Sequence, residues 1–214
     1  MAIVWYKELG EEAKVAVWKI EETEQELKSS LILKDQELAF VDMIRKGKRT
    51  LHWLASRVLL RKLLNLNETE YLDTRLDEHD KPFIFNKSYH FSLSHSAEYA
   101  AAIVSRDHLV GCDLEQIHEK IIRIEEKFLS KEEIAFTDHS QKVNHLYATW
   151  SAKEALYKLY GKRNVSFKDN IHLHPFEFHS PGEIRACIQK DYFFKNFLVH
   201  YEILDGYMLA YVKD

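Results

Sequence analysis

The chain has 214 residues with six glycines and three prolines, so it can bury a real core and has no room for a loose linker. A net charge of −4 argues against attraction to nucleic acid through overall charge. Its two cysteines, Cys112 and Cys187, sit in apolar, strand-like runs, as in a reduced protein. The opening Met1-Ala2-Ile3-Val4-Trp5-Tyr6-Lys7-Glu8 has no apolar run of export length, and no stretch has the length to span a bilayer. A cytoplasmic location is the expectation.

In chain order, Val15–Ile20 reads as the first strand. A helix opens at Lys34–Phe40 with Asp35 as N-cap, and a longer one runs from about Lys48 to Leu64. Lys81-Pro82-Phe83-Ile84-Phe85 reads as a short strand. Phe91–Ser94 and Tyr99–Val104 read as a hairpin joined by His95-Ser96-Ala97-Glu98. Leu109–Glu115 is a further strand. Ser130-Lys131-Glu132-Glu133 is a capping box that opens a helix through Phe136. The stretch from Asn144 to Tyr160 is rich in Ala, Leu, Lys and Glu, and Gly161 is placed to end that helix in a left-handed cap. Strand-like runs follow near Glu183–Gln189, Phe197–Ile203 and Tyr207–Val212.

The two halves echo each other. Glu37-Leu38-Ala39-Phe40-Val41-Asp42 answers Glu133-Ile134-Ala135-Phe136-Thr137-Asp138, and Trp53, Ala55, Leu59 and Arg61 answer Trp150, Ala152, Leu156 and Lys158. The expectation is an α+β protein of two similar halves, 1–105 and 106–214, related by a pseudo-twofold. Each would be a small antiparallel sheet packed on a long helix. Arg57 stands where the second half has Glu154, so one site at the seam is expected rather than two, and an internal duplication predicts a monomer.

The long second-half helix is apolar nearly all round, so its few polar residues need explaining. At about 100° per residue, Ser151, Glu154 and Lys158 fall within an arc of about 60°, and Lys153 points about 100° or more away. Glu154 and Lys158 are either an ordinary i,i+4 surface pair or a carboxylate and an ammonium aimed at one cleft. On the strand before it, Gly111, Asp113 and Glu115 share a face, with Gly111 expected to leave open space beside the acids. Two like charges at that spacing need a cation or a cationic side chain between them. Oxygen-only donors suit a hard ion such as magnesium. His172 and His174 share a strand face, but no further zinc ligand accompanies them, so they read as structural. The basic cluster Arg45, Lys46, Lys48 and Arg49 is either a solvated helix face or an anion site.

Val110-Gly111-Cys112-Asp113-Leu114-Glu115 followed by Trp150-Ser151-Ala152-Lys153-Glu154-Ala155-Leu156-Tyr157-Lys158 resembles the signature pair of the 4′-phosphopantetheinyl transferases. Lys81-Pro82 and Phe91-Ser92-Leu93-Ser94-His95-Ser96 resemble two motifs of the pseudo-dimeric, Sfp-type branch, and Arg49-Thr50 its N-terminal basic position. The likeness covers about residues 34–161. Asp80 stands where glycine is usual, Ser92 where asparagine is common and Cys112 where an aliphatic residue is usual.

The resemblance implies Mg2+-dependent transfer of 4′-phosphopantetheine from coenzyme A to a serine of an apo acyl or peptidyl carrier protein, releasing adenosine 3′,5′-bisphosphate. It implies that Asp113, Glu115 and Glu154 hold the metal, that Glu154 and Lys158 are catalytic, and that Arg49, Lys81, Ser94, His95, Lys153 and Lys158 contact coenzyme A. Lys34 is a weaker candidate for the same anion. Neither a nucleic-acid partner nor a membrane is expected. Two rivals remain at the level of sequence: a magnesium-dependent nuclease, which should show a broad basic surface, and an inactive relative that binds coenzyme A or a carrier.

Overall fold

In the computed structural model, residues 2–44 and 48–214 are described. Arg45 and Lys46, two members of the basic cluster, lie outside them. The chain divides into two compact units, 1–77 with 82–108, and 78–81 with 109–214.

The first unit begins with β1 (Ala2–Leu9) and β2 (Ala13–Lys19). Three helices follow, α1 (Glu24–Ser29), α2 (Asp35–Met43) and α3 (Arg49–Leu63), then β3 (Thr74–Leu76), β4 (Pro82–Ile84), β5 (His90–Ser96) and β6 (Tyr99–Ser105). The main sheet runs β1-β2-β6-β5 with every pair antiparallel. Leu54, Val58 and Leu59 of α3 pack with Trp18, Ala100, Ala102 and Phe91 in one core. The alanines of β6 leave room for the helix to come close.

Three expectations change here. The first strand is β1, not β2: it is an edge strand, bulged between Ile3 and Trp5 and with several side chains in water, so no clean alternation marks it. Helix α2 is capped by Lys34 rather than Asp35, and Glu37 turns back to accept a hydrogen bond from the Lys34 amide at 3.1 Å. The β5–β6 turn is only Ala97-Glu98, with Ala97 at a φ of 48°, so His95 belongs to the strand, paired with Ala100.

The second unit runs β7 (Val110–Gln116), a 3-10 turn (Glu119–Ile124), then α4 (Glu125–Phe128), α5 (Lys131–Ala135) and α6 (Lys142–Tyr160). It ends with β8 (Ile171–Leu173), β9 (Gly182–Lys190), β10 (Phe193–Leu204) and β11 (Tyr207–Lys213). These strands form an antiparallel sheet in the order β7-β11-β10-β9-β8. Helix α6 lies across it, burying Leu146, Ala152, Ala155, Leu156 and Leu159 against Met208, Ala210 and Val212. Ser130 caps α5 as the capping box predicts, and Gly161 ends α6 at a φ of 68°. The protein is thus α+β, each unit an antiparallel sheet with one long helix packed on it. Among the described residues no helix is long and apolar enough to cross a membrane.

Candidate active site

The acids of β7 face α6 because of Gly111. A Cβ there would collide with the backbone carbonyl of Ala155 and come within 2.9 Å of the Leu159 amide nitrogen. The glycine therefore leaves no open space, contrary to the sequence expectation: its missing side chain is what lets the helix backbone lie directly on the strand. With Gly111 under Ala155, Asp113 and Glu115 follow at two-residue intervals on the same face. Gly111→Ala should push α6 off β7 and lower stability by about 2–4 kcal/mol, an overpacking cost raised by the backbone contact. A denaturant midpoint equal to wild type would refute this role.

Four predicted residues come together here. Asp113 is buried, and the Lys158 ammonium donates to its Oδ1 at 2.8 Å. Burial alone would depress the Lys158 ammonium, but Asp113, Cys112 and Glu154 more than offset it, so its pKa stands above the ordinary value. Burial, then Asp113 and Glu115, push Glu154 up to about 7 against the opposing pull of Lys158. Burial and Asp113 raise Glu115 as well, while a hydrogen bond from Trp150 and the charges of Lys158 and Lys120 hold it back. The surface-pair reading of Glu154 and Lys158 fails, since Lys158 reaches across to the strand. Trp150, one turn before Glu154, is a supporting residue that sequence reasoning missed; its ring is fixed edge-on to Phe128 at 5.1 Å.

The three acids fit a hard divalent cation by their chemistry. Their donors are all oxygen, and their mutual repulsion is the kind that a cation relieves. Among the described residues no group of three or more His, Cys, Asp or Glu is placed so that it could hold a metal ion, so the three acids do not form a metal site as they stand. Asp113 is instead balanced by Lys158.

Lys153 is elsewhere. Its ammonium is wholly buried among four oxygens: Glu133 Oε2 at 2.6 Å and the carbonyls of Phe128, Phe167 and Ile171 at 3.0, 2.7 and 2.9 Å. A group so enclosed has no surface to offer coenzyme A, so the expected contact is replaced by a structural tie. Glu133 does more than close its capping box, since its Oε1 also accepts from the Leu173 amide at 3.0 Å. The box was visible in the sequence; the buried partner was not.

Lys81 belongs to the same unit. Its ammonium donates to the Leu159 carbonyl at 2.8 Å, and its side chain lies against Gly161, at the C-terminal end of α6 where a cation is favoured. The remaining candidates lie in the first unit. Arg49 is exposed at the first residue of α3. One turn on, the His52 ring stacks on His95 at 4.4 Å and its Nε2 meets the Ala97 carbonyl at 2.7 Å. Lys48 pairs with Glu98, so the start of α3 and the β5–β6 turn form one local cluster. Ser94 is buried beside exposed His95. His172 and His174 join no metal-binding group among the described residues.

Residues 109–212 match the family model described as the 4′-phosphopantetheinyl transferase superfamily. The chain is 32% identical over 141 residues to 4′-phosphopantetheinyl transferase gsp of Aneurinibacillus migulanus, covering 63% of this chain and 58% of that protein. It is 36% identical over 78 residues to transferase psf-1 of Bacillus pumilus, covering 35% and 33%. It is 31% identical over 135 residues to transferase AcpT of Salmonella typhimurium, covering 58% and 65%. The chain thus spans between a third and just under two thirds of the length of these relatives. The matched segment holds β7, α6 and all four clustered residues, and over that segment, just under half of its length, the chain is similar to the 4′-phosphopantetheinyl transferase superfamily.

Proposed function

We propose that this protein transfers the 4′-phosphopantetheine arm of coenzyme A to a serine of an apo acyl or peptidyl carrier protein, with magnesium, releasing adenosine 3′,5′-bisphosphate. One observation carries the reading: Asp113, Glu115, Glu154 and Lys158 are electrostatically coupled on the β7–α6 face, inside the segment that matches the family. Asp113, Glu115 and Glu154 are the residues that would hold the metal. When bound, the ion supplies positive charge to a pyrophosphate and to the phosphate that leaves.

The chain's own side chains do the rest. The serine oxygen forms a bond to the phosphorus bearing the pantetheine arm, and the bond from that phosphorus to the bridging oxygen breaks. Glu154, ionising near neutrality, is suited to take the serine proton directly or through a water. Lys158 keeps its charge and steadies the departing phosphate. Arg49, Lys81, Ser94 and His95 are proposed contacts to the nucleotide and its phosphates. A cytoplasmic monomer remains the proposed setting.

The test is incubation with coenzyme A, magnesium and apo-carriers of fatty-acid, polyketide and peptide type, read by intact mass. One carrier should gain the mass of the arm; no gain on any of them overturns the reading. The segment Lys162–Phe167, just past α6, is a proposed carrier contact. Lys162→Glu with Arg163→Glu should raise the Michaelis constant for carrier about tenfold and leave coenzyme A binding alone. An unchanged carrier constant removes that contact.

A further inference from the structure

Helix α3 and the β5–β6 turn meet at a residue that the transfer reading does not use, His52. It is half-buried and lies one turn past Arg49, and residues three apart on a helix are surface neighbours. Its ring lies flat on that of His95, with centroids 4.4 Å apart and planes 18° from parallel. Its Nε2 meets the Ala97 carbonyl at 2.7 Å. A carbonyl only accepts, so Nε2 carries the proton and the tautomer is fixed. The next residue, Glu98, pairs with Lys48. The helix start and the turn are thus joined at three points: an ion pair, a hydrogen bond and a ring stack.

Packing alone does not account for a histidine here. An aliphatic side chain would fill the space, whereas a flat ring with a fixed N–H sets both the plane of its neighbour and the place of the turn. His95 shares a face of β5 with Phe91 and Leu93, which pack with the α3 core, so strand alternation aims its ring at α3. His95 itself is exposed, and an exposed side chain loses rotamer freedom when a ligand orders it. A neighbour that fixes the ring beforehand removes that cost. We propose that His52 is a positioning residue for coenzyme A: it holds the His95 ring at a set distance from Arg49, so that both meet the phosphate-bearing end of the nucleotide without reordering. The proposal rests on the transfer reading above and gives a role to a residue that belongs to none of the family motifs.

The test is His52→Leu, measured by calorimetry with coenzyme A and with adenosine 3′,5′-bisphosphate, in the wild-type and in the His95→Ala background. In the wild-type background both ligands should bind about tenfold more weakly. The Michaelis constant for coenzyme A should rise by the same factor, with turnover at saturating coenzyme A and the carrier constant unchanged. His95→Ala should itself weaken both ligands, and adding His52→Leu to it should cost less than about twofold, because His52 acts through His95. An equal loss in both backgrounds means that His52 merely supports the helix, and it overturns the proposal. Unchanged binding by either single variant overturns it too, and leaves the transfer reading standing. If the Leu variant does not fold, His52→Asn, which also lacks the ring, carries the same comparison. A wild-type protein that binds neither ligand overturns the transfer reading and the proposal with it.

Discussion

Glu154→Gln should abolish transfer, lowering the rate at least about a thousandfold, and should also make the protein more stable at pH 8 in metal-free buffer. The two effects share a cause. Burial and the neighbouring carboxylates lift the Glu154 pKa from 4.5 to about 7. Between those values the folded protein holds a proton that the unfolded chain releases, so stability falls as pH rises from about 4.5 through about 7. Below that window the residue is neutral in both states and nothing is lost. Gln stays neutral throughout, so at pH 8 it should recover roughly 1–3 kcal/mol, the order of magnitude of such a shift. The same titration predicts that wild-type transfer at low magnesium rises through about pH 7 as the carboxylate forms. Thermal melts of both proteins at pH 5 and pH 8 provide the check. Equal stability at both pH values would mean that Glu154 sits in an ordinary surface environment, and retained transfer by the variant would end its proposed role.

Lys153→Met should be the most destabilising single change in the second unit, costing about 3–5 kcal/mol. It removes a cation from between four oxygens and leaves the Glu133 carboxylate buried, supported only by the amides of Ser130 and Leu173. Burial already pulls the Lys153 pKa down, and Glu133 opposes that pull, as expected where an ammonium survives only by its partner. Adding Glu133→Gln should return part of the lost stability, because the uncompensated charge is then gone. Lys153 ties α6 to the segment before α5 and to residues 167–171, and Glu154 is the next residue along, so transfer should fall with stability. Denaturant unfolding of the single and double variants measures the coupling. A loss under about 1 kcal/mol for the single variant would show that the pair does not anchor the helix.

These two lysines of α6 show where sequence reading succeeds and stops. Helical angle alone separated Lys153 from Glu154 and Lys158, and the left-handed cap at Gly161 follows from its position. The destination of each ammonium does not follow, because Lys153 finds carbonyls at Phe128 and within residues 167–171, and Lys158 finds a strand 45 residues earlier. Gly111 was legible as part of a motif, but its physical reason, a helix backbone lying where a Cβ would go, is a long-range fact. The tail strands were readable from their apolar alternation, while β1 was not, since an edge strand with wet side chains carries no clear period. His95 was misplaced by the length of one turn, a boundary set by Ala97 adopting a positive φ.

The most direct measurement is a manganese titration, with coenzyme A present, followed by electron paramagnetic resonance as a stand-in for magnesium. The wild-type protein should bind about one ion per chain, more tightly as pH rises through about 7. Asp113→Asn, Glu115→Gln and Glu154→Gln should each weaken it roughly tenfold or more. Unchanged affinity in all three variants would contradict the assignment of these carboxylates to one metal-dependent site.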